Sequence, residues 1–236
     1  MTMWYPPAES FDPVDPPHVK VIRVCCISDT HVEAHTIPGG IPECNLLIHA
    51  GDFTNKGERQ KILEFDDWGG SIPLPTENKI CIAGNHDLTF HHSPDVARAH
   101  LTQWTYLEDS FVTVLGLKIY GTPWSAAFYP ANWAFNQKRG EESVSRWAQI
   151  PKDTDIFISH GPPFGYGDRT RGKHVGCVDL STRLLEIKPR LTVCGHIHTD
   201  QGIFAAPWGT LVNACVIDEE QKRIPIVIDL PIVGDR

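Results

Sequence analysis

The chain predicts a mixed α/β (α+β) sandwich containing more than one β-sheet, and three observations carry that prediction. Continuous apolar runs rich in Val, Ile and Cys recur along its 236 residues, as expected of strands covered on both faces. In the first part of the chain these runs alternate with an amphipathic helical segment, the rhythm of βαβ units. The last part is mostly strand-like, with short turns such as Pro207-Trp208-Gly209, which extends the architecture beyond one parallel sheet.

In chain order, a proline-rich leader at 1–18 precedes a single domain expected at 19–236, since no repeat, low-complexity tract or linker divides the remainder. Residues 19–27 read as the first strand, and 45–50 and 79–83 repeat its pattern. Between the latter two, 56–68 places Ile62, Leu63 and Phe65 among charges, a helix expected to end at Gly69 and Gly70. Further strands are expected at 111–114, 117–121, 155–159, 191–194, 203–206, 210–215 and 224–230. Helices are expected at 94–103, 141–149 and 178–186.

Hydrophobic residues at 41% and charged residues at 21% match folded soluble domains, which excludes disordered and fibrous classes. No run approaches the roughly 18 apolar residues that span a bilayer, so no membrane partner and no signal peptide are expected. The net charge of −8 disfavours a long nucleic acid. A small phosphorylated substrate, a nucleotide included, remains compatible because a metal site brings its own positive charge. The seven cysteines form no C-x-x-C pair and several fall in apolar runs. They read as buried free thiols in a reducing compartment, hence a cytoplasmic location.

The chemistry concentrates in five places: Asp29-Thr30-His31, Gly51-Asp52, Gly84-Asn85-His86-Asp87, His160-Gly161 and Gly195-His196-Ile197-His198. Each follows an apolar run, at the strand end where open α/β sheets gather ligands. The spacing of two in Asp29-x-His31 and His196-x-His198 aims both side chains one way if the backbone stays extended. Singly, each residue is an ordinary turn, cap or core residue; together they form an oxygen–nitrogen donor set without thiolate, suited to manganese, iron or zinc. Two such ions, held close by a shared carboxylate, suit in-line displacement at phosphorus.

The series D-x-H, G-D, G-N-H-D, H-G and G-H-x-H resembles the calcineurin-like metallophosphoesterase superfamily. His49–Thr54, GTPW at 121–124, SHGPP at 159–163 and VGCVDL at 175–180 further resemble its metallophosphoesterase-domain-containing branch. The resemblance implies two central mixed β-sheets flanked by helices. It implies Asp29, His31 and His198 on a first divalent metal, Asn85, His160 and His196 on a second, and Asp52 bridging. His86 would be catalytic, beside the phosphate with Asn85. The branch implies phosphodiesterase activity, with cyclic nucleotides among the substrates. The expected mechanism is in-line attack by a hydroxide held between two ions, manganese foremost, with His86 assisting the leaving group. Competing readings are a phosphomonoesterase with the same site and a metal-binding scaffold without turnover.

Protein Ser/Thr phosphatases carry G-D-x-V-D-R-G, whereas here Asn55 and Lys56 replace the acid and arginine. That leaves open which group orients His86. Asp87, the next residue, reads equally as a turn cap. Two segments bear on substrate. Trp124, Phe128, Tyr129, Trp133 and Phe135 either stack on a base or, more simply, fill the core. The basic, glycine-rich stretch 164–174 supplies Arg169 and Arg171 as candidate substrate contacts, with Lys173 and His174, or else forms a solvated loop.

Overall fold

The strands follow where β-branched and apolar residues run unbroken, and their pairing divides them into two large sheets. The computed structural model describes residues 21–128, 132–217 and 224–231. The leader expected at 1–18, the first two residues of the run at 19–27 and Tyr129 lie outside the described residues. In chain order, β1 (Val21–Ile27), β2 (Leu46–His49), β3 (Lys79–Cys81) and β4 (Thr105–Tyr106) pair successively in parallel. Next come β5 (Ser110–Val114) and β6 (Leu117–Thr122), an antiparallel pair that begins the second sheet. Two short strands, β7 (Ser125–Ala126) and β8 (Asn136–Gln137), pair with each other.

The second sheet continues through β9 (Ile156–Ser159), parallel to β6. A small hairpin, β10 (Arg169–Thr170) and β11 (Lys173–His174), interrupts it. Then β12 (Leu191–Cys194) runs parallel to β9, while β13 (Gly202–Ala206) and β14 (Gly209–Asn213) close the edge in the order β13-β14-β12-β9-β6-β5. Finally β15 (Ile226–Pro231) returns to the first sheet, antiparallel to β1. The expectation of a strand there holds, but its partner is β1, the first of the described strands, and not its neighbour in sequence.

Period-two alternation decides what each face covers. Val24, Cys26, Ile48 and Ile80 from the first sheet meet Ile119, Ile158, Val193 and Val212 from the second in a shared core. The other face of the first sheet, with Cys25, Leu47 and Cys81, packs under Ile62 and Phe65 of α1 (Arg59–Ser71) and Phe90 of α2 (Leu88–His92). Ala97 of α3 (Pro94–Arg98) joins them. On the second sheet, Tyr120, Phe157 and Leu211 pack against Trp147 of α4 (Glu141–Trp147) and Leu180 and Leu184 of α5 (Val178–Ile187). The result is two mixed sheets flanked by helices, the fold class expected from the sequence. Each fully buried Leu or Ile contributes roughly 1.5–3 kcal/mol, so this layer fixes how the two sets of strand ends meet.

The helix boundaries depart from expectation most at α1 and α3. Gly69 and Gly70 lie inside α1, which ends at Ser71. Gly69 is small because a Cβ there would overlap the Trp104 indole. The helix expected at 94–103 stops at Arg98 as α3, and α2, which was not expected, precedes it across Ser93, whose extended φ of −145° is not helical.

Candidate active site

Five strands, β1, β2 and β3 parallel in one sheet and β9 and β12 parallel in the other, deliver the site. Asp29 follows β1, Asp52 follows β2, Asn85 and His86 follow β3, His160 follows β9, and His196 follows β12. The backbone is not extended as the two-residue spacings suggested. Asp29, His31, Asp52 and His196 take φ values of 56°, 43°, 56° and 68°, a left-handed region that costs non-glycine residues on the order of 1–3 kcal/mol each. Such turns fold several donors back over the strand ends. The adjacent glycines are needed for space: a Cβ on Gly195 would overlap Ser28 Oγ and the Asp29 carboxylate, and one on Gly84 would overlap Asp52.

The side chains converge in three overlapping groups, Asp29–His31–His198, His31–Asp52–His86 and Asp52–His160–His196, each with its ligand atoms within 4.8 Å of one another. His198 Nε2 lies 3.1 Å from Asp29 Oδ1 and 3.4 Å from His31 Nε2. His160 Nε2 lies 2.9 Å from Asn85 Oδ1 and 3.2 Å from Asp52 Oδ2. His196 and His198 thus serve different groups. His86 stands edge-on to His31, with ring centroids 4.7 Å apart.

The donor set fits a divalent cation. His160 Nδ1 donates to the Ala50 carbonyl at 2.8 Å, so the ring, when neutral, turns the lone pair of Nε2 toward Asn85 Oδ1 and Asp52 Oδ2. Three acceptors aimed together repel unless a proton or cation lies among them. No lysine or arginine side chain bonds any of these seven candidate ligands among the described residues. Imidazole nitrogens with carboxylate and amide oxygens suit manganese, iron or zinc.

Without a cation the groups lean on one another. Burial opposes ionisation of Asp29, but His198 and its neighbouring imidazoles hold the carboxyl well below its usual range. Asp52 is likewise lowered against its burial, chiefly by His160. Burial opposes the charged form of His160, yet Asp52 and Asp29 push it up to about 9. Burial and the facing His160 bring His196 down to about 4. Burial lowers His31, whereas Asp29 raises His198 despite its burial.

Apart from Asp87, whose reading as a turn cap holds, the positioning residues escaped the sequence pattern. His86 Nδ1 lies 2.9 Å from the Asn55 carbonyl oxygen; the group that orients it is main chain, not carboxylate. Asp87 is fully buried and accepts from Asp52 N, Gly84 N, Thr54 N and Thr54 Oγ1 at 2.7–2.9 Å. It fastens the turn after β2 to the turn after β3. Ser28 Oγ at 2.5 Å and Cys215 Sγ at 3.0 Å donate to Asp29 Oδ2. His49, buried with its pKa pushed down to about 3, accepts from Gly51 N and meets Thr30 Oγ1, linking two ligand turns. Only Asp87 carried a sequence signal, through its place in G-N-H-D.

The aromatic segment divides. Phe135 is buried in the core and Trp124 packs beneath the Arg146 guanidinium, 3.6 Å from its ring centroid. Trp133 instead meets His86 at 4.3 Å and Phe128 meets His196 at 4.8 Å. Beside His196 opens a cleft of about 460 Å³, whose walls include Phe128, Arg139, Pro162, Thr170 and His174. Arg169 and Arg171 belong to the β10–β11 hairpin, but the hairpin residues that face this cleft are Thr170 and His174.

Two mixed sheets whose strand ends gather this histidine–aspartate–asparagine set define a metal-dependent phosphoesterase. The chain belongs to the calcineurin-like phosphoesterase family, whose model matches residues 22–200. It is 40% identical to human metallophosphoesterase domain-containing protein 1, over 92% of this chain and 77% of the relative. A UPF0046 protein of Caenorhabditis elegans is 35% identical over 89% of this chain and 82% of its own length. Among solved structures, TT1561 of Thermus thermophilus shares the fold with a TM-score of 0.56 at 13% identity, covering 82% of this chain and 89% of that one. Among the described residues no helix is long and apolar enough to cross a membrane.

Proposed function

We propose that the protein is a cytoplasmic dinuclear-metal phosphodiesterase acting on a small phosphorylated substrate, with cyclic nucleotides in its range. The observation that carries this reading is the position of Asp52. It belongs at once to the group with His31 and to the group with His160 and His196, as a carboxylate shared by two ions must. Asp29, His31 and His198 would hold one ion, and Asn85, His160 and His196 the other. The ions, manganese foremost, supply Lewis acidity and bring the pKa of water toward neutrality.

The protein's own groups do the rest. His86, fixed through Nδ1 by the Asn55 carbonyl, keeps Nε2 free to hold a proton and pass it to the leaving oxygen. The Asn85 amide, one residue earlier in the same turn, is assigned the non-bridging oxygens. The reading of a diester over a monoester draws support from charge. A monoester dianion calls for more fixed positive charge than a diester monoanion, and no lysine or arginine bonds these ligands among the described residues. Arg169 and Arg171 are retained as outer contacts that meet substrate on approach. Free buried thiols, six of the seven cysteines, support the cytoplasmic assignment.

The test is to strip metal, restore manganese, and compare bis-p-nitrophenyl phosphate with p-nitrophenyl phosphate, using His86→Ala as control. Manganese-dependent diester hydrolysis that the variant loses supports the reading. A strong monoester preference replaces it with a phosphatase, and no turnover with any divalent metal replaces it with a silent metal-binding scaffold.

A further inference from the structure

The cleft beside His196 has no role in the chemistry above, yet one of its walls is built with care. The β10–β11 hairpin turns around Asp168, a fully buried carboxylate that accepts from Gly165 N at 3.0 Å, Gly176 N at 2.9 Å and His174 Nδ1 at 2.6 Å. On its other flank, Arg169 N donates to Asp200 Oδ2 and Thr199 Oγ1 donates to the Arg169 carbonyl, both at 2.8 Å. These bonds tie the hairpin to the turn that begins at His198. Asn213 Nδ2 adds bonds of 2.9 Å to the carbonyls of Gly167 and Ile197. A solvated charged loop would need none of this.

His174 is therefore held by a buried partner while its side chain stays 39% exposed, its free edge on the cleft. Phe128, resting on His196, supplies a second ring. Arg139, the cationic side chain in the lining, is committed at 2.6 Å to the carbonyls of Val175 and Gly176. No carboxylate lines the cleft among the described residues. Its volume of about 460 Å³ falls within the range of whole small-molecule sites, roughly 300–1,000 Å³, far more than a phosphoryl group requires. Flat rings, ample room and a guanidinium already held by main-chain carbonyls describe a site for a planar organic group.

We infer that this cleft is the specificity pocket for the ester substituent that stays on phosphorus, and that His174 and Phe128 are the rings that hold it. The inference rests on the phosphodiesterase reading, which puts the leaving oxygen at His86. His86 groups with His31 and Asp52, whereas the cleft opens at His196, which groups with Asp52 and His160. The leaving substituent and the retained one then extend on different sides of Asp52. Asp168 is a positioning residue for His174.

The experiment compares two diesters with one leaving group, bis-p-nitrophenyl phosphate and methyl p-nitrophenyl phosphate, in the manganese-loaded full chain. For His174→Ala the ratio of kcat/KM values, aryl over methyl, is expected to fall about tenfold, mainly through KM of the aryl ester. Phe128→Ala should lower the same ratio, and it decides the matter if His174→Ala fails to fold. An unchanged ratio in a variant that still turns over both esters overturns the pocket assignment and leaves the phosphodiesterase standing. Absence of diester hydrolysis by the unaltered protein overturns both.

Discussion

The Nδ1 atom of His86 lies 2.9 Å from the carbonyl oxygen of Asn55, at the position where protein Ser/Thr phosphatases carry an aspartate. A carbonyl fixes the ring as a carboxylate would, but without adding negative charge to a site that already holds Asp29 and Asp52. His86→Ala should lower kcat by about 10²–10⁴ while metal content, read by elemental analysis, stays at the level of the parent. Asn55→Ala keeps the carbonyl and should cost far less. Equal losses in the two variants would mean that the Asn55 side chain, not its main chain, sets the histidine.

Asp52 does two jobs at once: Oδ1 accepts from His86 N at 2.7 Å and Oδ2 faces His160. Asp52→Asn preserves size and an acceptor but removes the charge. Manganese affinity is expected to drop by roughly 100-fold or more, judged against the 10–100-fold typical of losing a group that merely supports a ligand. Titration calorimetry on the stripped protein reads this directly, and unaltered affinity would remove Asp52 from the ligand set.

Asp87 satisfies three buried backbone N–H groups and one hydroxyl. Burial and the nearby Asp52 push its carboxyl up to about 7, so the carboxylate is kept in place by those donors and not by solvation. Asp87→Ala strands them, and at roughly 1–3 kcal/mol for each unsatisfied group the variant should lose about 3 kcal/mol or more in urea unfolding. Asp87→Asn retains one oxygen and should lose less. If the alanine variant were as stable as the parent, the two turns would be held by something else.

Metal loading should release protons. In the metal-free site His160, pushed up to about 9 by Asp52 and Asp29 against its burial, carries a proton throughout the neutral range. A cation must displace it, so affinity rises with pH until about 9 and falls as acid is added. Calorimetry near neutrality in buffers of different ionisation enthalpy should report about one proton released on loading. A binding heat independent of buffer would contradict the assignment of His160.

Much of this was legible in the chain. Val21–Ile27, Leu46–His49 and Leu191–Cys194 announce themselves because strands covered on both faces must be apolar throughout, and the candidate ligand residues stand just past their ends. The pairing of β15 with β1 was not legible, since nothing local specifies a partner at the far end of the domain. The shortest strands, such as Thr105–Tyr106, are too brief to show a period. The left-handed turns at Asp29 and His196 carry no glycine at those positions and so give no signal. Asn55 was hidden for a deeper reason: its contribution is a carbonyl, which every residue has.

Each candidate ion set draws on both halves of the sandwich. Asp29 and His31 come from the first sheet and His198 from the second; Asp52 comes from the first and His160 and His196 from the second. The strand ends also touch directly, where Ser28 bridges Cys215 and Val216 N donates to the Ser28 carbonyl at 3.0 Å. A bound cation is therefore a rivet through two plates as well as a reagent. Loading should slow amide hydrogen exchange along this one rim more than along the rim formed by the opposite strand ends, and the temperature at which the sheets part should follow metal concentration. In such an arrangement the stability of the protein becomes a reading of its supply of metal.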